Sequence, residues 1–236
     1  MKIAETFLIE PEVCAYLGDR PSIIEYSVVK EMSGTEYENL MNRGWRKFGP
    51  LLFHPVCQGC QECRPIRIPV AGFVPDRSQR RNMRLNIDLD VSFEPPAMDE
   101  ERIDLYNSYH RWRTEVRGWP LNQVTRQEYQ VLAVNNPIQG RDILVRFQGR
   151  LVAAMQLDLT PRVVSDVYHF YAPALTERGL GAFLILQSVE MAKKLGKPYV
   201  YLGYHVKGSR SMEYKTRYCP YEILDVEGSW VSSEKP

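Results

Sequence analysis

The spacing of apolar residues differs between the first hundred residues and the rest of the chain. In the first third, short apolar runs stand between Gly and Pro, which predicts short strands joined by turns. One helix is predicted there, over Ser33–Arg43, because Ser33 and Glu36 have the spacing of a capping box. Further helices are predicted at 98–117, from its one-sided apolar spacing, and at 125–134.

Beyond residue 140, longer elements follow one another. Two apolar stretches flank the turn Gln148-Gly149 and predict an antiparallel hairpin, and a third strand ends at Pro173. A strongly amphipathic helix comes next, with Gly179 and Gly181 in its first turn, before another strand and a last helix. The predicted ranges are 142–147, 150–159, 163–171, 177–195, 198–204 and 211–218.

This order of elements is that of the GNAT acyltransferase core, in which a helix N-terminus binds the phosphates of the acyl carrier. We therefore predict an α+β protein. Its C-terminal part, 101–236, is expected to be a GNAT-like catalytic domain, a mixed sheet with flanking helices and a split beside Gly181. Its N-terminal part, 1–100, is expected to be a small α+β domain that contains the cysteines.

Charge adds a candidate binding surface to this picture. The 236 residues have a net charge of +1, which excludes a chain whose whole surface attracts nucleic acid. Between Arg64 and Arg84, however, six Arg stand against one acid, Asp76, so a localised anionic partner is expected.

Apolar runs fall short of the roughly 20 residues of a membrane helix, and the first residues lack a secretory pattern. A cytoplasmic protein is expected.

The sharpest local motif is Cys57-x-x-Cys60-x-x-Cys63, and Cys14 is available upstream as a fourth sulfur. Closely spaced thiolates can turn toward one ion, and soft sulfur suits zinc or an iron–sulfur cluster. The alternative is a turn that contains reduced structural cysteines, because disulfides are disfavoured in the cytoplasm. The spacing leaves both interpretations open.

Two segments have the chemistry of phosphate binding. Arginine forks, supported by Ser and Gln, can bind an RNA backbone, although a solvated basic turn is the alternative. The residues of this segment are Arg77, Ser78, Gln79, Arg80 and Arg81. In the other segment, Gly179 and Gly181 let backbone N–H groups approach a phosphate with no side chain in the way.

A third set of residues combines tyrosine rings with cations. Tyrosine can stack on a terminal base while Lys and Arg bind phosphates, as expected for a single-stranded nucleic-acid end. The set comprises Tyr201, Gly203, Tyr204, Tyr214, Lys215 and Arg217. Packing in a half-buried sheet is the alternative for the tyrosines.

A hydrolase or NTPase is disfavoured, because the sequence has no Walker loop, no G-x-S-x-G elbow and no recognisable triad.

Taken together, these stretches resemble one family. The matching segments keep the family's order and are Cys14-Ala15-Tyr16-Leu17, Gly44–Gly49, Cys57 to Arg67, Ser78–Arg81, Tyr201–Tyr204 and Met212 to Arg217. The chain thereby resembles the aminoacyl-tRNA:protein transferases of the arginyltransferase type, and more closely their small bacterial relatives, the aspartate/glutamate leucyltransferases.

The resemblance implies an enzyme that moves an amino acid from tRNA to the α-amino group of proteins beginning with Asp or Glu, marking them for N-degron degradation. Leucine is favoured, and arginine is the alternative. An acyl-CoA-dependent N-acetyltransferase and a non-catalytic RNA- or metal-binding module are further alternatives. The transfer needs no cofactor, although larger relatives bind zinc or an iron–sulfur cluster through such cysteines. The expected partners are the aminoacyl-tRNA and the acceptor protein, with no membrane and a monomeric enzyme.

For the site, we expect the N–H groups around Gly179–Ala182 and the end of the 198–204 strand to frame the terminal adenosine and the ester. Lys215 and Arg217 are expected to hold phosphates. The candidates for accepting the proton or orienting the amine are Asp166, Tyr168, Tyr171 and Tyr204. The acidic residue of the acceptor needs a cation, and the candidates are Arg77, Arg80 and Arg81.

Overall fold

The computed structural model describes residues 1–9 and 12–233. Its strands are β1 (Lys2–Leu8), β2 (Glu12–Val13), β3 (Pro21–Ser22), β4 (Ile24–Glu31), β5 (Arg46–Phe48), β6 (Leu51–Pro55), β7 (Arg64–Pro69), β8 (Asp90–Glu94), β9 (Gly140–Phe147), β10 (Arg150–Leu159), β11 (Val163–Tyr171), β12 (Tyr199–His205), β13 (Glu222–Leu224) and β14 (Trp230–Ser232). Its α-helices are α1 (Gly34–Met41), α2 (Arg77–Leu85), α3 (Glu100–Arg117), α4 (Arg126–Tyr129) and α5 (Leu180–Lys194).

The centre of the fold is a mixed sheet of eight strands in the order β14-β13-β7-β12-β11-β10-β9-β8. In the described chain its neighbours pair antiparallel except β11 and β12, which are parallel. A four-stranded sheet, β1-β4-β6-β5, and the small pair of β2 and β3 complete the strands. Because β7 and β8 precede residue 100, the large sheet takes strands from both sides of the predicted domain boundary.

Helices cover both faces of the large sheet. On one face α5 packs through Leu184 and Val189 against residues such as Met155 of β10. On the other face α3 packs through Tyr106 against Phe170 of β11. This two-sided cover explains why β10 is buried along almost its whole length. No helix within the described residues is both long enough and apolar enough to cross a membrane.

Most predicted elements are confirmed. Ser33 and Glu36 form the capping box of α1, and α3 occupies the predicted range with Asp99 as its N-cap. The predicted hairpin is the pair of β9 and β10. The helix predicted at 125–134 is α4, which continues as a π-helical turn over Gln130–Val134.

Three regions differ from the prediction. The basic segment Arg77–Arg81, for which a solvated turn was the alternative interpretation, lies in the helix α2, whose N-cap Asp76 forms a capping box with Gln79. The helix predicted from residue 177 starts only at Leu180, because Gly179 has a φ of +62° and ends a preceding 3-10 helix, Pro173–Arg178. The last predicted helix is reduced to a 3-10 helix over Glu213–Arg217.

Candidate active site

The parallel strands β11 and β12 part in the middle of the sheet. Their pairing runs from Val163 opposite Tyr199 to Ser165 opposite Tyr201 and ends there. Each strand carries an extra residue just beyond this point. In β11 it is Val167, and in β12 the irregularity includes Gly203, whose φ is +81°. Such bulges bend strands and end their pairing, so the split predicted beside Gly181 is present.

The bulge at Val167 decides where two candidate catalytic residues point. In a regular strand Asp166 and Tyr168 would share one face. Here the carboxyl of Asp166 accepts a hydrogen bond from Ser188 of α5 at 3.2 Å, whereas the Tyr168 hydroxyl lies 2.9 Å from Nε2 of His110 on α3. The two residues therefore face opposite sides of the sheet and do not form one catalytic group.

The first turn of α5 lies against β11 at the split. A Cβ atom on Gly181 would lie 3.2 Å from Nε2 of His169 and 3.5 Å from a ring carbon of Tyr171. The absence of a side chain at Gly181 thus allows both side chains to lie next to the helix backbone. The first N–H groups of a helix have no partner within it, so this turn offers donors beside the split.

Helix α2 holds the turn that precedes α5. The side-chain amide of Asn82 donates to the carbonyl oxygens of Arg178, at 2.9 Å, and Gly179, at 3.2 Å. Asn86 donates to the same Arg178 oxygen at 2.9 Å. On the same side of α2, the buried Gln79 donates to the carbonyl oxygen of Arg217 at 3.0 Å. Helix α2 therefore connects the two segments that flank the split.

Lys215 lies in the 3-10 helix Glu213–Arg217, and its buried side chain reaches the split next to β12. Its ammonium donates to the carbonyl oxygen of Tyr204 at 2.6 Å and lies 3.2 Å from the sulfur of Met212. It would be 3.6 Å from a Cβ atom on Gly203. Burial, together with the charge of Arg46, lowers the pKa of Lys215 to about 7. The structure thus uses Lys215 to organise β12 at the split, which differs from the predicted contact with a phosphate.

Arg46 of β5 is a second buried cation that contacts β12. It donates to the carbonyl oxygen of Gly203 at 3.1 Å, and its guanidinium lies over the rings of Tyr201 and Tyr204. Nε and Nη1 of this side chain are buried without a hydrogen-bond partner among the described residues. It belongs to the family-like segment Gly44–Gly49, but no role was predicted for it.

Burial controls the protonation of the groups at the split. It raises the pKa of Asp166 to about 8, although the Ser188 hydrogen bond and the charge of Lys215 act in the opposite direction. It lowers the pKa of His169 to about 4, with further contributions from Lys215 and Arg113. At pH 7 His169 is therefore neutral, and Asp166 is largely protonated but ionises readily.

The structure brings only part of the predicted site together. Asp166, Tyr171, Gly181, Gly203, Tyr214 and Lys215 lie at the split. The hydroxyl of Tyr204 donates to the carbonyl oxygen of Gly44 at 2.6 Å, and that of Tyr201 donates to Asn42 at 2.8 Å. Both tyrosines are thus engaged in packing, as in the alternative interpretation.

The predicted phosphate-binding residues lie outside the split. Arg77, Ser78, Arg80 and Arg81 are exposed on α2, and Arg217 is exposed on its 3-10 helix. Gln79 differs from this group, because it is buried and its amide caps α2 and contacts the Arg217 backbone. The contact predicted between Gln79 and an RNA backbone is therefore replaced by a structural role.

Sequence reasoning missed His169, Tyr109 and Arg113 at the split. The rings of Tyr109 and Tyr171 are 4.9 Å apart, and Arg113 donates to the Tyr109 hydroxyl at 3.3 Å. The alternation of His169 with Tyr171 along a strand was the available signal for the histidine. For Arg113 there was none, because its position at the split depends on the packing of α3 against β11.

The cysteines lie in one neighbourhood of the N-terminal part. Burial raises the pKa of Cys63 to about 12, and Cys14, Cys57 and Cys60 are close enough to add to this effect. The sulfur of Cys57 is hydrogen-bonded to the backbone of Ile23. Within residues 1–9 and 12–233, no three His, Cys, Asp or Glu side chains form a group that could hold a metal ion.

A parallel strand pair that parts beside the first turn of a helix defines a GNAT-like acyltransferase fold. Solved structures agree with this class. FemX has a TM-score of 0.51 at 12% identity, with 84% of this chain and 68% of that chain covered. L-PGS from Bacillus licheniformis has a TM-score of 0.50 at 13% identity, with 84% of this chain and 62% of that chain covered. At such low identity the likeness concerns the fold alone.

Two family models match most of the chain. The model of the arginine-tRNA-protein transferase N terminus matches residues 12–81, and that of the C terminus matches residues 101–225. The chain therefore belongs to the arginine-tRNA-protein transferase family, which confirms the resemblance described above.

Curated relatives are similar over nearly their whole length. An aspartate/glutamate leucyltransferase of Campylobacter jejuni is 35% identical, with 89% of each chain covered. Two more proteins of this name are similar, one from Chromohalobacter salexigens (36% identity; 93% of this chain and 89% of the relative) and one from Pseudomonas fluorescens (37%; 96% and 95%). The names of these relatives agree with the prediction of leucine rather than with the alternative of arginine.

Proposed function

We propose that this protein transfers leucine from leucyl-tRNA to the α-amino group of proteins that begin with Asp or Glu. The observation that carries the proposal is the split between β11 and β12, with Asp166, Gly181 and Lys215 gathered at it, in a member of this family. The names of the curated relatives support both the amino acid and the acceptors.

The chemistry requires positioning more than activation. The neutral amine of the acceptor attacks the ester carbonyl of the donor, forming an amide bond, and the bond to the 3′ oxygen of the tRNA breaks. The amine loses one proton, and the departing oxygen gains one, so the tRNA leaves with a free hydroxyl. An enzyme accelerates this step by holding both groups in contact and by stabilising the oxyanion.

Asp166 is the group best placed to take the proton from the amine. Its pKa of about 8 is close to the roughly 7.7–8.0 of an α-amino group, so transfer between them costs little free energy. Tyr171 lies on the same strand beside Gly181 and can orient the amine. Tyr168 and Tyr204 remain weaker candidates, because their hydroxyls contact His110 and Gly44 instead.

The donor tRNA fits the side of the split that carries α5 and α2. The N–H groups at the start of α5 suit the terminal phosphate, and the exposed arginines of α2 suit phosphates further along the strand. Asn82 joins these two elements, since it binds the carbonyl oxygens directly before α5. The residues proposed to contact the tRNA backbone are Arg77, Ser78, Arg80, Arg81 and Arg217.

The side chains at the split favour leucine over arginine. The rings of Tyr109 and Tyr171 give it an aromatic wall. An arginyl side chain would need an ionised carboxylate as its partner, but Asp166 is largely protonated at pH 7. A leucyl side chain needs no charged partner.

The transfer needs no cofactor in this proposal, and no step passes through the cysteines. Zinc or an iron–sulfur cluster on Cys14, Cys57, Cys60 and Cys63 stays a prediction. Measuring zinc and iron in the purified protein and in Cys57→Ser and Cys60→Ser variants tests it. Location in the cytoplasm and a monomeric state also stay predictions.

A transfer assay tests the function directly. The protein is incubated with a peptide that begins with Asp or Glu and with leucyl-tRNA, arginyl-tRNA or acetyl-CoA, and the product is weighed. We expect the mass of one added leucine with leucyl-tRNA and no product with acetyl-CoA. Addition of arginine alone would replace leucine in the proposal, and an acetylated product would overturn tRNA-dependent transfer.

A further inference from the structure

Arg113 lies in the last turns of α3, beside the split. It donates a hydrogen bond from Nη1 to the hydroxyl of Tyr109 at 3.3 Å. The Tyr109 ring is 4.9 Å from that of Tyr171, whose ring would be 3.5 Å from a Cβ atom on Gly181. A short chain of contacts therefore connects Arg113 to the first turn of α5.

The guanidinium of Arg113 is fixed but not neutralised. Its carbon atom lies 3.7 Å from the ring centre of Trp119, so its flat face is stacked. Stacking occupies the face of a guanidinium and leaves donors along its edge. Nε is buried without a hydrogen-bond partner in the described chain. Nor does Arg113 form an ion pair with any residue of 1–9 or 12–233.

An unpaired charge in a partly buried place raises the free energy of the protein, and an anion that pairs with it would remove this penalty. The side chains that contact its guanidinium, Tyr109 and Trp119, offer no such anion. The environment of Arg113 is therefore prepared for an anionic group that comes from outside.

The position of Arg113 suits the acceptor rather than the donor. The proposed tRNA contacts lie on the side of the sheet that carries α5 and α2, whereas α3 covers the opposite side. An amine that enters the split past Tyr171 from the side of α3, and reaches Asp166 on the α5 side through the split, would keep its own side chain near Arg113. In this proposal for the reaction, that side chain ends in a carboxylate.

We propose that Arg113 binds the side-chain carboxylate of the acceptor's first residue and so selects acceptors that begin with Asp or Glu. This inference rests on the proposed function, which requires a cation for that carboxylate. A stacked arginine can bind a carboxylate through two parallel hydrogen bonds, a geometry that lysine cannot offer. Arg77, Arg80 and Arg81 are the rivals, and they lie on the exposed face of α2.

Acceptor pairs that differ only in charge test the assignment. Rates of leucine transfer are measured for peptides that begin with Asp or Asn, using the wild type, Arg113→Met and Arg113→Lys. We expect Arg113→Met to reduce kcat/KM roughly tenfold or more for the Asp peptide and little for the Asn peptide. Arg113→Lys should give an intermediate preference. Arg111→Met is the control, since Arg111 is exposed on the same helix and should keep the preference.

The ratio of the two rates is measured within each variant, so it does not depend on the fraction of folded protein. An equal loss for both peptides would overturn the assignment, because it would show a structural role. An unchanged preference would also overturn it and would direct attention to the α2 arginines.

Peptide binding without tRNA separates this inference from the proposed function. If the wild type binds the Asp peptide better than the Asn peptide and Arg113→Met does not, the inference holds even where no leucine is transferred. If the wild type transfers leucine but Arg113→Met has the same preference for the Asp peptide, the function holds and the inference fails.

Discussion

The hydroxyl of Ser188 donates a hydrogen bond to the carboxyl of Asp166 at 3.2 Å, joining α5 to β11 at the split. The other carboxyl oxygen, Oδ1, is buried and has no hydrogen-bond partner in the described part of the chain. Asp166 is thus held in place by one oxygen, while the other makes no hydrogen bond. This arrangement suits a proton acceptor, since a base must be both oriented and free.

The first prediction concerns the dependence of the transfer rate on pH. Asp166 acts as a base only when ionised, so the rate should rise as the pH passes its pKa of about 8. The Ser188 hydrogen bond favours the ionised form and lowers this pKa. We therefore expect Ser188→Ala to move the rising limb of the kcat profile to higher pH by about one pH unit.

Stopped or quenched assays with one peptide and one leucyl-tRNA preparation measure both profiles. The amine of the peptide titrates equally in each, so a displacement between them belongs to the enzyme. Asp166→Asn should remove most of the rate at every pH. Superimposable profiles for Ser188→Ala and the wild type would exclude Asp166 as the titrating base.

The second prediction compares two glycines at the start of α5. In Gly181→Ala the new methyl group would meet His169 at 3.2 Å but no backbone atom, and alanine is a better helix former. We expect stability within about 1 kcal/mol of the wild type and a transfer rate lower by roughly tenfold or more, because the methyl group displaces His169 and Tyr171.

For Gly179→Ala we expect the opposite pattern, a loss of stability with a smaller effect on the transfer rate. Its φ of +62° and a contact of 2.8 Å with the Asn82 amide should cost about 1–2 kcal/mol of stability. Thermal unfolding and transfer assays on both variants measure the contrast. A fully active Gly181→Ala would show that the backbone of α5 need not approach β11 so closely.

The third prediction concerns the attachment of α2. Asn82 makes two hydrogen bonds to backbone carbonyl groups, so Asn82→Ala should lower the free energy of unfolding by about 1–3 kcal/mol. Arg81→Ala, at the neighbouring exposed position, should change it by no more than about 0.5 kcal/mol. Denaturant unfolding of both variants gives the comparison, and equal stabilities would mean that α2 does not hold the turn before α5.

Local patterns predicted much of the fold. The capping box of Ser33, the hairpin at Gln148-Gly149 and the apolar stripe of α3 depend on residues close in sequence. Helix α2 escaped prediction because its inner face is polar, with Gln79, Asn82 and Asn86 bonded to backbone carbonyl groups. The capping box of Asp76 and Gln79 was the signal that could have revealed it.

The site was less predictable, because it depends on where two strands part. The bulge at Val167 is defined by the pairing of β11 with β10, and neither strand shows it alone. It separates Asp166 from Tyr168, which regular alternation places on one face. Lys215 and Tyr214 were found through the family-like segment, but the burial of Lys215 depends on how its 3-10 helix lies against β12.

The last prediction concerns the exposed arginines of α2. Each arginine that neutralises a tRNA phosphate releases a counterion, so its removal should reduce the salt dependence of binding by about 0.7–0.9 in the slope of log K against log salt. We expect this for Arg77→Ala and for Arg81→Ala, because both side chains are exposed on α2 and are proposed to contact the tRNA. Binding of leucyl-tRNA at several salt concentrations measures the slopes. Arg150→Ala, exposed at the turn between β9 and β10, is the control and should keep the wild-type slope. Parallel slopes for all four proteins would place the tRNA elsewhere, since phosphate contacts cannot be removed without changing the number of ions released.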